Sequence, residues 1–288
     1  MIIPAIYKCL GAAPLIGIER RRIYTDGDGV NTLVGFHGCN LHCKYCLNPQ
    51  SISPKRIWKW MTPRRLLKEV SKDEIYFLKT DGGICFGGGE PLRHVNFIRK
   101  FKKLCSPNWR ITIETSLNVP ENAVKESVGI VDRYIVDIKD VNPDIYKSYT
   151  GQENQIALRN LSFLLCNVSS DNIIVRVPLI PGYNSEKLVE KSVELLKKMG
   201  ITHFDKLTYK CHQEIESRGE GEINVGKLIC NFLKSLRRQF AEEQKIQYDF
   251  RECTFEGKCS GTCPACEREL GYITMRYRAL KRKQRYEG

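Results

Sequence analysis

Short apolar runs alternate with amphipathic stretches along most of the chain, which predicts a repeating strand–helix order. The first 30 residues read as an extended lead-in. It closes in a turn at Asp26-Gly27-Asp28-Gly29, where glycine tolerates positive φ and aspartate bonds back to its own backbone. Thr32-Leu33-Val34-Gly35-Phe36 predicts a short buried strand. A helix starts at Thr62: threonine caps it, Pro63 takes the first helical position, and Leu66, Leu67 and Val70 make its apolar face. Ile84-Cys85-Phe86 is the next strand, followed by a glycine-rich turn and a helix from Pro91 to Leu104.

The alternation then repeats. Arg110–Glu114, Tyr134–Ile138, Ile173–Val177, Lys206–Tyr209 and Ile246–Phe250 read as strands, with Pro178 ending the third of these. Between them, helices are expected over Pro120–Glu126, Pro143–Tyr149, residues 154–166, Ser185 to Met199 with Gly200 as terminator, and Val225–Phe240. About six β–α units in succession argue for an α/β fold with a parallel sheet and helices outside. Continuously apolar strands fit burial on both faces. Right-handed crossovers then curl the sheet toward a barrel, with active residues at the C-terminal strand ends. Glu90, Glu114, Asp137, Lys139, Arg176 and Tyr209 all fall at or just past such ends.

Composition narrows the class. The chain has 288 residues and a mean hydropathy of −0.36, ordinary for a soluble enzyme with a sizeable core. It has no apolar stretch of about 18 residues and no signal-peptide pattern at Met1–Lys8, so a cytoplasmic protein is expected. Thirteen cysteines in that compartment point to metal or redox chemistry rather than disulfides. The net charge of +13 implies acidic partners: nucleic acid, an acidic redox protein or an acidic protein face. Part of the excess lies between Arg276 and Arg285, where a solvated helix end accounts for it equally well.

The chemistry concentrates in Cys39-Asn40-Leu41-His42-Cys43-Lys44-Tyr45-Cys46. Three thiolates at C-x3-C-x2-C spacing suit three irons of a four-iron cluster, leaving one iron open for chemistry. A zinc knuckle completed by His37 or His42, or three unrelated buried thiols, are the bland alternatives. A second group, Cys253, Cys259, Cys263 and Cys266, follows the C-x5-C-x3-C-x2-C pattern in the last 38 residues. It reads as a second Fe–S cluster or as a four-thiolate zinc stapling a basic C-terminal helix; spacing does not decide. The remaining cysteines, Cys230 among them, read as small core residues. The organisation expected is one domain over residues 1–250 and a cysteine-rich tail over 251–288.

The cysteine loop with its aromatic Tyr45, the Gly88-Gly89-Glu90-Pro91 turn and the strand-end charges together resemble the radical S-adenosylmethionine (SAM) superfamily. Asp26–Val30, Phe36–Cys39, Cys46–Asn48, Asp81–Leu92, Ile113–Ser116, Val136–Lys139 and Arg176–Gly182 narrow the likeness to the glycyl-radical-enzyme activating enzymes. The resemblance covers roughly residues 24–250 and implies a partial (β/α)6 barrel. It implies that Cys39, Cys43 and Cys46 bind a [4Fe-4S] cluster and that SAM chelates the open iron. Gly88, Gly89 and Glu90 would face the methionine end and Arg176 its carboxylate. Asp137 and Lys139 would contact ribose or methionine, and Tyr45, Cys46 and Leu47 adenine. Glu114, Thr115 and Asp137 would surround a monovalent cation. Lys210 stands where the family has histidine, with His212 two residues on. The expected activity is reductive SAM cleavage and hydrogen abstraction from a glycine of a partner enzyme under anaerobic conditions, with an acidic electron donor such as flavodoxin. The alternative is a peptide-modifying radical SAM enzyme whose C-terminal cluster is auxiliary. A nucleic-acid-binding protein with structural clusters would leave the strand-end polar array unexplained.

Overall fold

A computed structural model describes residues 11–209, 225–255 and 263–286. Among them eight strands form one sheet: β1 (Ala13–Ile23), β2 (Val30–Phe36), β3 (Lys59–Met61), β4 (Gly83–Gly88), β5 (Arg110–Thr115), β6 (Arg133–Asp137), β7 (Ile173–Leu179) and β8 (His203–Thr208). Their order is β3-β1-β2-β4-β5-β6-β7-β8. From β2 to β8 every neighbouring pair is parallel, giving the six parallel strands expected. The sheet does not close: β1 and β3 add antiparallel strands beyond β2. The extended lead-in is therefore β1, eleven residues long and paired with β2. The fold is α/β with an open, mostly parallel sheet.

The helices are α1 (Pro63–Val70), α2 (Glu74–Thr80), α3 (Val95–Lys102), α4 (Glu121–Lys125), α5 (Pro143–Thr150), α6 (Gln155–Asn167), α7 (Glu186–Lys198), α8 (Val225–Glu243) and α9 (Pro264–Tyr286). Local chemistry places several ends. Thr62 Oγ1 accepts from Arg65 N–H beside Pro63, and Asn142 Oδ1 accepts from Asp144 and Ile145 N–H beside Pro143. The main core lies between sheet and helices, around Phe36, Phe86, Ile111, Val136, Val175 and Leu196.

Three expectations change. The strand β7 runs through Pro178 to Leu179, because a proline near a strand end gives up only one ladder bond. The Pro91–Leu104 helix opens as a 3-10 turn, Pro91–His94, before α3. Ile246–Phe250 is not a strand. Lys245 adopts φ 54°, Ile246 N–H bonds the Ala241 carbonyl, and the chain leaves α8 in a helix-terminating turn. Ile246 and Phe250 then join a second core made by α2, α8 and α9, with Val30, Tyr76, Leu233, Phe240, Leu270 and Ile273.

Ion pairs fasten that second core to the sheet. Arg237, fully buried, donates from Nε to Glu269 (2.5 Å) and from Nη1 to the Tyr76 hydroxyl (2.7 Å). Arg20 and Arg21 on β1 both reach Asp73, at 2.6 Å and 3.2 Å, and Glu267 at the start of α9. Arg278, in the basic stretch, pairs with Glu74 at 2.9 Å.

Candidate active site

Strand β2 delivers the chain directly into the cysteine loop. Backbone bonds pin the loop at several points. Gly38 N–H donates to Ser51 O (2.7 Å), His42 N–H to Thr150 O (2.9 Å) and Lys44 N–H to Tyr149 O (3.1 Å), the last two at the end of α5. Asn40 Nδ2 donates to Asn118 O at 2.7 Å. The glycine turn fits beside it with no room to spare. Gly88 sits at φ 86°, and a Cβ there would lie 2.7 Å from Gly35 Cα; one on Gly89 would lie 2.3 Å from Gly38 O. Packing against β2 and the loop thus demands these glycines before any ligand does.

Cys39, Cys43 and Cys46 are half-buried and line one cleft with Gly88, Gly89, Glu90, Glu114, Asp137, Lys139 and Arg176. Tyr45, Leu47, Tyr149, Leu207 and Tyr209 also line it, and the cleft holds about 170 Å³. Residues from β4, β5, β6 and β7 therefore meet the loop at the strand ends, as the topology predicts. The histidines of a zinc knuckle are elsewhere. His37 Nε2 lies 2.8 Å from Ser53 O, and His42 is exposed outside the cleft. Among the described residues no three His, Cys, Asp or Glu side chains converge on one point as ligands of a single ion do.

The charged groups form a network. Glu90 is buried. One carboxylate oxygen accepts from Thr115 Oγ1 (2.7 Å) and Leu92 N–H (3.2 Å), the other from Ser116 Oγ (2.8 Å) and Ser116 N–H (3.0 Å). Lys139, 7% exposed, donates to Tyr209 Oη (2.6 Å) and Asp137 (3.0 Å). Arg176 is held on three sides: Nη1 to Glu114 (2.6 Å), Nε to Asp205 (2.9 Å) and Nη2 to Thr25 O (3.1 Å). The guanidinium expected at the SAM carboxylate is thus engaged by protein. Glu114 and Asp137, expected around a cation, each have a protein cation beside them.

Burial sets the protonation of the site. It pushes the Cys39 thiol up to about 11 and raises Cys43, which Lys139 partly offsets. A metal bound by these thiols would release their protons. Burial also lifts Glu90 and Glu114 above the ordinary carboxyl range, against hydrogen bonds to Glu90 and the Arg176 charge beside Glu114.

Lys210 and Cys259 lie outside the described residues. Cys253, Cys263 and Cys266 line a separate cavity that shares no residue with the cleft. Sequence reasoning missed Ser116 as a Glu90 partner, Tyr149 in the wall and Asp205 on Arg176. The Thr115-Ser116 pair after a strand-end glutamate was the available signal for the first; the other two meet the site only through tertiary contacts.

Two relatives are similar over most of their own length. The (2S)-3-sulfopropanediol dehydratase activating enzyme of Klebsiella oxytoca is 32% identical over 244 residues, covering 63% of this chain and 76% of that one. The pyruvate formate-lyase-activating enzyme of Clostridium pasteurianum is 35% identical over 199 residues, covering 63% and 82%. A crystal structure of a domain of pyruvate-formate lyase-activating enzyme from Bacteroides vulgatus superposes loosely. It has a TM-score of 0.38 at 22% identity and covers 56% of this chain and 91% of that one. The profile described as "Radical SAM superfamily" matches residues 33–196, from within β2 into α7. The cysteine loop, the glycine turn and the strand-end charges from Glu90 to Arg176 all fall inside that span, and the chain belongs to the radical SAM superfamily.

Proposed function

We propose that this protein is an activating enzyme that cleaves SAM reductively and removes a hydrogen from a glycine Cα of a partner glycyl radical enzyme. The observation that carries the reading is one cleft in which the Cys39–Cys46 loop faces the Gly88-Gly89-Glu90 turn and charged residues from the next three strands. Relatives named as activating enzymes support the choice of substrate. Cys39, Cys43 and Cys46 would hold a [4Fe-4S] cluster. When bound, that cluster supplies the electron that splits SAM into methionine and a 5′-deoxyadenosyl radical.

The chain's own residues have three tasks. Glu90, fixed by the Thr115 and Ser116 hydroxyls and two backbone N–H groups, offers a rigid carboxylate to an ammonium group. Its position costs no reorganisation when a ligand arrives. Lys139 bridges Asp137 and Tyr209 and sets a positive charge near Cys43, offsetting thiolate charge. Arg176 orients Glu114, and reaching a SAM carboxylate would require it to release one of its three partners. Tyr45, Tyr149 and Tyr209 wall the cleft with aromatic surface that limits water near the reacting centre.

The +13 charge suits an acidic donor such as flavodoxin, and the same charge would steer its approach. A peptide-modifying enzyme with an auxiliary cluster is less well supported, because the tail cysteines share no lining residue with the cleft. The test is anaerobic reconstitution with iron and sulfide, then SAM and dithionite. Release of 5′-deoxyadenosine is expected, and so is a glycine-centred electron paramagnetic resonance doublet once a co-encoded glycyl radical enzyme is added. Absence of 5′-deoxyadenosine sinks the radical reading. Cleavage without a glycyl radical sinks the activase assignment alone.

A further inference from the structure

The radical chemistry does not use the cysteines of the C-terminal half. Cys230, on α8, reads from sequence as an isolated core thiol. In the fold its Sγ lies 3.7 Å from the Sγ of Cys266 on α9, and Cys263 packs against the same pair. A zinc ion with Zn–S bonds of about 2.3 Å in a tetrahedron sets its thiolates about 3.8 Å apart. The Cys230–Cys266 spacing is therefore that of two ligands on one ion. Thiolates bound to different irons of a cluster stand further apart, since two irons lie between them.

The surroundings fit the same reading. Cys263 immediately precedes α9 and packs against the Cys230–Cys266 pair. Cys253 lines one cavity of about 840 Å³ together with Cys263 and Cys266. Lys227 Nζ donates to the Cys253 carbonyl at 3.1 Å, and Lys234 Nζ donates to the Arg251 carbonyl, holding this segment against α8. Four thiolates on a divalent ion leave two negative charges. The cavity wall carries Lys234, Arg237, Arg251 and Arg268 against Asp249, Glu252 and Glu269, an excess of one positive charge that offsets part of them. The remaining movement, bringing all four sulfurs onto one point, is the ordering that metal binding supplies in cysteine-rich segments.

We propose that Cys230, Cys253, Cys263 and Cys266 bind a single structural zinc ion. The site joins α8, the 251–255 segment and the start of α9. Through Arg237–Glu269 and through Glu267 to Arg20 and Arg21, it locks the C-terminal helices onto α2 and β1. With four protein ligands it has no open position and takes no part in SAM cleavage.

The test is metal analysis of the full-length protein after anaerobic purification and reconstitution. The wild type should carry about one zinc per chain beside about four irons. Cys230→Ser should lose at least about fivefold of the zinc with iron unchanged, Cys230→His should retain it, and Cys259→Ser should match the wild type. Zinc retained in Cys230→Ser, zinc lost in Cys259→Ser, or a wild type with about eight irons and no zinc each overturns the proposal. Iron and zinc are counted separately, so failure of the radical reading registers as missing iron alone. Should Cys230→Ser not fold, alkylation of the wild type with and without a zinc chelator gives the same answer. Labelling of Cys230 should rise about tenfold with chelator while Cys85, buried in β4, stays constant. Unchanged labelling of Cys230 overturns the proposal.

Discussion

The molecule has two cysteine sites, and they are built in opposite ways. At the C-terminal ends of the parallel strands the three thiols come from one eight-residue loop, spread around a cleft and facing carboxylates, a lysine and tyrosines. At the C-terminal end the thiols come from two helices and an extended segment, and two of them stand 3.7 Å apart beside buried arginine. The first arrangement leaves its thiols facing a polar cleft. The second brings Cys230, Cys263 and Cys266 together in the packing between two helices. On the proposed readings, the contrast between catalytic and structural metal sites would be present within one chain.

The largest expected effect separates the two by activity. Cys43→Ala should lower 5′-deoxyadenosine release at least about a thousandfold, because a reactive centre missing one ligand does not retain partial function. Cys266→Ala, measured in the same chromatographic assay, should stay within about threefold of wild type. Equal losses in both would abolish the distinction between the sites.

Stability should separate them in the other direction. Arg237→Ala removes the partner of buried Glu269 and of the Tyr76 hydroxyl, and about 3–5 kcal/mol should be lost in urea unfolding. Lys139→Ala should cost about 1–3 kcal/mol, since Asp137 is 26% exposed and water can replace the lysine. SAM cleavage should fall in the second variant and not in the first. A reversed order would mean that the cleft, not the helical clamp, carries the fold.

The smallest effect sharpens the picture of Glu90. Burial keeps its carboxyl above the ordinary range, so the folded protein holds a proton that the unfolded chain releases above about pH 4.3. Stability contributed by this group is present below that pH and declines as pH rises through the folded value. Glu90→Gln should flatten this part of the urea midpoint against pH. An identical slope in wild type and variant would show Glu90 to be ordinary.

The alternation of apolar strands and amphipathic helices was enough to read six parallel strands, and the C-x3-C-x2-C loop with Gly88-Gly89-Glu90 was enough to read the cleft. Both signals are local: a strand's burial and a loop's ligand spacing are written in consecutive residues. Ile246–Phe250 misled because an apolar run of that length serves a strand or a helix-packing segment equally. Lys245, turning at φ 54°, sent it to the second. The sequence by itself determined the radical SAM core, its three loop cysteines and the strand-end charges. Only the tertiary structure decided that Arg176 is held by Glu114, Asp205 and Thr25, and that Cys230 stands beside Cys266. Those contacts join residues 29 to 151 positions apart. No period or spacing in a sequence encodes such pairs; the packing of α8 on α9 and the closing of β7 over the β1–β2 turn create them.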